Sequence, residues 1–151
     1  MTLAIPTIIS SIKRHLSVIG KRLYNKNGKN MFSDITLSTA EDTALLTQYI
    51  YAASENIEAM LRPLVTSFMH GGGNVVIVLK NTRSSLDYES RTENMVMTYI
   101  TLYAVCEYLA MVHPELAAKY QTDATNAMQA LVAYVYWKLP PEASDADYKD
   151  I

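Results

Sequence analysis

The residue types that most often do chemistry in proteins are few and scattered in this chain. Its three histidines are His15, His70 and His113, and none belongs to a paired ligand motif such as HExxH or to a Cys/His cluster. Because a site needs such groups side by side, the spacing favours a surface His15, a loop His70 and a helix-end His113. A pocket that gathers two histidines and a carboxylate would favour an enzyme instead.

The remaining candidates also favour structure over catalysis. Cys106 is the only cysteine, so it forms no intrachain disulfide, and its place on an apolar stripe predicts a buried, inert thiol. The triplet at residues 71–73 lacks the Lys-Ser/Thr of a phosphate-binding loop and precedes a strand, so we interpret it as a hinge. Asp87, Glu89 and Glu93 are ordinary partners of a helix dipole. We therefore predict no enzyme activity, no metal and no cofactor.

Charge is segregated along the sequence. The first 33 residues contain six basic residues and no acid, whereas residues 34–151 contain seven basic and fifteen acidic residues, a formal charge of −8. Such a contrast is typical of chains that act by contact with a partner. The predicted basic surface consists of Lys13, Arg14, Lys21, Arg22, Lys26 and Lys29.

Length and composition indicate one folded domain. With 151 residues, half of them apolar, the chain is long enough to bury a core and unlike a disordered protein. The single cysteine and the basic residues that follow the first apolar stretch favour a cytosolic protein over a secreted one. No uncharged run reaches the roughly 18 residues that span a bilayer, so we expect no membrane partner.

Hydrophobic periodicity predicts the helices. Apolar residues recur at three- and four-residue steps over residues 5–23, and Ser38 with Glu41 forms a capping-box pair before a second helix that Arg62-Pro63 kinks or ends. A third helix is predicted from about Asp87 and a fourth from Pro114 to about Lys138.

The expected fold class is all-α, a bundle of about four helices with one short β element and an extended C-terminal tail. The β element is the run at residues 75–79, which must pair in a hairpin, be covered by helices or join another subunit. We divide the chain into a basic helix and loop (1–33), a helical core (34–139) and an acidic tail (140–151).

Aromatic residues and the acidic tail predict a surface for partners. Tyrosine occurs eleven times, and Tyr and Trp are favoured both at the core edge and in protein interfaces, two interpretations that the sequence leaves open. The tail cannot pack on itself, and its two prolines stiffen its exit from the last helix. The predicted partner-binding residues are Tyr134, Tyr136, Trp137, Pro140, Asp145, Asp147 and Tyr148.

The basic N-terminal helix leaves three hypotheses open. It can lie on an anionic membrane, although it lacks Trp or Phe anchors, or it can attract nucleic acid without sequence preference. Alternatively, its apolar stripe packs on the core and its charges face water or an acidic neighbour. In a ring of identical subunits, this helix and the acidic tail of a neighbour can pair.

The order of parts resembles the head–tail connector (adaptor) proteins of tailed bacteriophages. The segment at residues 41–58, EDTALLTQYIYAASENIE, is similar to their first core helix, and ALVAYVY at residues 130–136 is similar to a late helix. The typical short adaptor lacks a basic helix such as residues 5–23 and has shorter late helices. The resemblance implies a ring under the portal, with the C-terminal tail docked on portal subunits and DNA passing through the middle.

The leading functional prediction is a structural assembly protein, a phage neck subunit that forms a ring-like homo-oligomer and binds portal or neighbouring tail proteins. Such a protein would assemble in the host cytoplasm and remain in the virion, with non-specific DNA contact possible. The alternative is a small helical nucleic-acid-binding or regulatory protein that acts through the basic N-terminal helix.

Overall fold

The computed structural model describes residues 1–22, 40–80 and 86–137. The predicted fold class, a mostly α bundle with a short β element, is confirmed. The elements in chain order are β1 (Thr2–Ala4), α1 (Ile5–Arg22), α2 (Ala40–Met60), a 3-10 helix (Arg62–Leu64), β2 (Val65–Gly71), β3 (Asn74–Leu79), α3 (Leu86–Val112) and α4 (Pro114–Trp137).

The N-terminal helix α1 is part of the core. The apolar stripe that predicted it is buried, and Ile8 and Ile12 are completely inaccessible to solvent. Its bounds match the predicted ones within a residue, with Pro6 in the first turn, where a missing N–H breaks no helical hydrogen bond. Of the three hypotheses for this helix, packing of its apolar stripe on the core is therefore the one that the structure shows.

The β element is a three-stranded antiparallel sheet in the order β1-β3-β2. β2 and β3 form a hairpin in which Gly71 pairs with Asn74, and β1 pairs with the other edge of β3, with Leu3 opposite Val75. Leu3, Val75 and Ile77 point into the core. Within the described ranges, the predicted strand thus pairs inside one chain.

The glycine triplet is the turn of this hairpin and not the hinge that we predicted. Gly72 and Gly73 are the two turn residues, with φ of 57° and 84°. Positive φ at both positions is typical of the type I′ turns that match the twist of a hairpin. A side chain at either position would be strained whatever the space around it, because L residues rarely adopt these angles.

β1 and β2 were not predicted. The second helix ends at Met60, whereas apolar residues continue at helical spacing to Leu64. α2 stops at Met60, and the 3-10 helix that contains Pro63 turns the chain into β2. Leu64 accepts a hydrogen bond from the backbone of Lys80 at 2.7 Å, which holds the start of β2 to the end of β3. The proline prediction is confirmed in the sense that the helix ends there.

Helix α3 is the centre of the bundle. It packs against α1, α2 and α4, and its buried residues lie on more than one side, as the wide apolar face predicted. Thr101 links it to Ser11 of α1 through a 3.5 Å hydroxyl contact. Pro114 begins α4, as predicted, directly after His113.

Several predictions lie outside the described residues. They include the Ser38 cap, the end of α4 beyond Trp137 and the acidic tail. The division of the chain into three regions remains a prediction, although α1 shares one core with α2, α3 and α4.

Candidate binding surfaces

The end of α4 places two of the predicted partner-binding residues at the surface. Trp137 is 81% exposed and Tyr136 is 42% exposed. Tyr134 instead packs inward, stacked on Tyr88 of α3 with ring centroids 5.6 Å apart and with Arg91 5.2 Å from its ring centre. The rest of the predicted set, Pro140, Asp145, Asp147 and Tyr148, lies outside the described residues.

The predicted basic surface is described only in part. Arg14 is exposed on α1 and Lys13 is half-buried. Lys21 and Arg22 belong to the last turn of α1, but their side chains lie outside the described part, as do Lys26 and Lys29 altogether.

A groove between α1 and α4 brings Arg14 together with a cation from the other end of the sequence. Its volume is about 390 Å³. The lining residues, which we call the cationic groove, are Arg14, His15, Val18, Ile19, Leu116, Lys119 and Tyr120. Val18, 44% exposed, and the half-buried Leu116 give the groove an apolar floor below its charges.

The charges of the cationic groove are not neutralised by the lining. None of its described lining residues is acidic, and neither Arg14 nor Lys119 forms an ion pair within the described ranges. His15 donates from Nδ1 to the carbonyl oxygen of Ser11 at 3.3 Å, so its Nε2 remains for a second interaction. The groove therefore suits an anionic partner that also buries apolar surface.

A second groove lies between α2, α3 and α4 and has a volume of about 480 Å³. We call it the tyrosine groove. It is lined by Asn56, Ala59, Met60, Tyr99, Tyr103, Cys106, Glu107, Gln121, Ala124, Thr125, Met128 and Gln129. Glu107 is the one acidic residue among these described lining residues, and none of them is basic.

The polar groups of the tyrosine groove are largely engaged with one another. Asn56 donates from Nδ2 to the hydroxyl of Tyr99 at 3.3 Å, and the rings of Tyr99 and Tyr103 lie 6.0 Å apart. Burial raises the pKa of Tyr99, which the hydrogen bond from Asn56 partly opposes. Burial, followed by the negative charge of Glu107, raises the pKa of Tyr103. These phenols therefore stay neutral and serve the core edge.

Cys106 is half-buried, whereas its position on an apolar stripe predicted a fully buried thiol. Its Sγ lies 3.5 Å from the carbonyl oxygen of Ala117, to which the thiol donates. Burial, and then the charge of Glu107, raises the pKa of Cys106. Because the thiolate is the reactive form, this environment suppresses reaction at neutral pH.

The structure does not bring the three histidines together. His15 lies in the cationic groove, and His113 lies at the turn between α3 and α4 with its buried Nδ1 unpaired. His70 is not in a loop but on β2, where Nε2 lies 2.9 Å from Oε1 of Glu55. Over residues 1–22, 40–80 and 86–137, no three His, Cys, Asp or Glu side chains form a group that could hold a metal ion.

The His70–Glu55 pair fastens the hairpin to α2. The imidazole of His70 stacks on the ring of Tyr51, with ring centroids 4.3 Å apart. The ring of Phe68 is roughly perpendicular to the imidazole, with ring centroids 5.6 Å apart. Tyr51 and Glu55 are one helical turn apart on α2, so one side chain of β2 contacts both. These contacts indicate that the His70–Glu55 pair has a structural role, in packing the sheet against α2.

Helix α3 is also long and apolar enough to cross a membrane, judged by length and composition alone. An 18-residue window within Tyr88–Val112 has a mean hydropathy of 1.5, although the longest uncharged run of the segment is shorter than a bilayer span. The central helix of a soluble bundle meets the same criterion, and α3 packs against three neighbouring helices.

Comparison of the chain with protein-family models, with curated proteins and with solved structures found no significant match.

Proposed function

We propose that this chain is a structural assembly protein that works by binding protein partners, as a subunit of a phage head–tail connector. The observation that carries the proposal is the end of α4, where the only tryptophan of the chain is 81% exposed beside the exposed Tyr136. Trp and Tyr often dominate the binding energy of protein interfaces, so two exposed aromatic side chains at the end of a helix are candidates for such a surface.

The order of the sequence after α4 also favours the end of this helix as the surface that binds a partner. α4 ends at Trp137, and the two prolines and four acids of the predicted tail follow within the last fourteen residues. The predicted tail, including Pro140, therefore follows the end of α4 directly in sequence, which is consistent with both binding a portal or tail protein.

The first test is the solution mass of the purified full-length protein by light scattering at physiological salt, alone and with the portal protein of the same phage. A discrete ring, or a monomer that forms one on the portal, supports the proposal. A monomer that remains one in both conditions would overturn it. If that monomer binds duplex DNA with an affinity that falls steeply as salt rises, the nucleic-acid-binding alternative is favoured.

The surface is tested by Trp137→Ala. We expect it to weaken binding to the portal at least about tenfold, because buried tryptophans at interfaces typically contribute 2 kcal/mol or more. Met69→Ala, which removes another exposed apolar side chain, on β2, is the matched control and should bind normally. In the unchanged protein, binding should also shift the Trp137 emission to shorter wavelength; an emission that stays constant on complex formation argues against this surface.

A further inference from the structure

The cationic groove has a charge that suits an anionic occupant. Arg14 and Lys119 lie on separate helices, are both exposed and line one groove without a described acid between them. Glu115 and Asp123 lie one turn from Lys119 on either side along α4, but neither lines the groove. Two like charges held over an apolar floor repel each other and attract an acidic segment more strongly than isolated surface lysines would.

The chain itself contains a segment of matching chemistry. Residues 142–150 carry Glu142, Asp145, Asp147 and Asp150 against the single Lys149. Asp145 and Asp147 are two residues apart, so in an extended peptide both carboxylates lie on the same side, about 7 Å apart. Two carboxylates on one side of a peptide are complementary in charge to the two cations of the groove.

Chain lengths favour a neighbouring copy over the same copy. Lys119 lies about 27 Å before Trp137 along α4, at about 1.5 Å per residue. Asp145 lies eight residues after Trp137, which gives at most about 26–29 Å when fully extended. Reaching its own groove would therefore require an immediate reversal and a fully stretched run through Pro140-Pro141. The groove of a neighbouring copy is not fixed at that distance from Trp137.

We propose that the cationic groove binds the acidic C-terminal segment of a neighbouring copy, with Asp145 and Asp147 against Arg14 and Lys119. The inference rests on the proposed function in one respect, that the chain forms a homo-oligomer. According to this proposal, the distal part of the tail binds a neighbouring copy, and the helix end around Trp137 binds the portal. The resemblance to phage connectors, in contrast, implies that the tail docks on the portal.

The test is a charge swap in the full-length protein. One variant carries Arg14→Glu with Lys119→Glu, and the other carries Asp145→Lys with Asp147→Lys. Alone, each should need at least about tenfold higher concentration to self-associate, measured by sedimentation velocity, because two attractions become repulsions. An equimolar mixture should associate as the unchanged protein does, since each variant then supplies the surface that the other has lost.

The control variant is Arg62→Glu with Lys80→Glu, which changes the net charge equally at two exposed positions outside the groove and should assemble normally. Circular dichroism establishes that every variant is folded. Two results would overturn the inference: single variants that assemble like the unchanged protein, or a mixture that stays dissociated. If the groove variant assembles normally but loses affinity for duplex DNA, the groove belongs to nucleic acid and the inference is wrong.

Failure here and failure of the proposed function are distinguishable. If the protein forms rings and the charge swap does not affect them, the proposed function is supported and the proposed binding of the tail in the groove is wrong. A protein that remains monomeric with and without the portal loses both.

Discussion

The two grooves have similar volumes and share α4 as a wall, yet they differ in what their polar groups contact. In the tyrosine groove, Asn56 and Tyr99 bond to each other, and burial keeps the phenols and Cys106 neutral. In the cationic groove, Arg14 and Lys119 have no ion-pair partner in the described part of the chain. Two cations from different helices, and not cavity size, therefore distinguish the groove that suits a binding site for an anion.

The largest difference between the grooves should appear in stability. Tyr99 is almost completely buried and belongs to the core, so Tyr99→Ala should lower the free energy of unfolding by about 3–5 kcal/mol, measured by urea denaturation. Tyr99→Phe, which removes only the hydrogen bond with Asn56, should cost about 1 kcal/mol. Equal losses for the two variants would mean that the ring itself contributes no packing.

High pH should destabilise the protein, in part through the tyrosine groove and in part through Tyr49 and Tyr108, whose pKa values burial also raises. Burial raises the pKa of Tyr99, Tyr103 and Cys106, so the unfolded chain releases these protons at lower pH than the folded protein does. The stabilisation is present below the ordinary pKa values, near 8.5 for Cys and 10 for Tyr, and is lost as pH rises through the folded ones. Urea midpoints should therefore fall between pH 8 and 10.5; midpoints that stay constant would contradict this.

Glu107 should have a smaller effect, on the reactivity of Cys106 in the tyrosine groove. Its charge is the second cause of the raised pKa of Cys106, so Glu107→Gln should lower that pKa and speed alkylation of the thiol at pH 8. Iodoacetamide reaction rates measure the change. Glu89→Gln, a charge change near the other end of α3, is the control. Identical rates for Glu107→Gln and the unchanged protein would show that burial alone sets the reactivity.

The smallest effect on stability should come from the cationic groove. Arg14→Ala with Lys119→Ala removes exposed side chains without described ion pairs, so the free energy of unfolding should stay within about 0.5 kcal/mol of the original. Urea denaturation again measures it. A loss comparable to that of Tyr99→Ala would mean that both grooves are structural and would remove the contrast between them.

The sequence predicted the elements that have a strong local signal. Six apolar residues at helical spacing predicted α1, Pro114 predicted the start of α4, and the β-branched run predicted β3. β2 was missed because Thr66, Ser67 and His70 interrupt any simple alternation, and β1 was missed because three residues carry little periodicity. Tertiary pairing, which supplies the neighbours of both strands, overrides these weak local signals.

The cationic groove shows why the sequence did not predict this candidate binding site. The sequence identified Arg14 as basic and His15 as a surface residue, but it gave no reason to place Lys119 beside them. Their proximity depends on how α1 and α4 each pack against α3, which no spacing within either helix records. Tyr134 illustrates the converse, because a residue in an aromatic cluster at a helix end can face inward toward Tyr88.

The position of β1 in the sheet has a consequence for the order of folding. Residues 2–4 pair with residues 74–76, so closing this contact requires a loop of about seventy residues and carries a larger entropic cost than the two-residue turn of the hairpin. The hairpin can form locally and early, whereas β1 must wait for β3 as a template. During synthesis, β1 is therefore made about seventy residues before the strand with which it pairs, and it reaches its final contacts late.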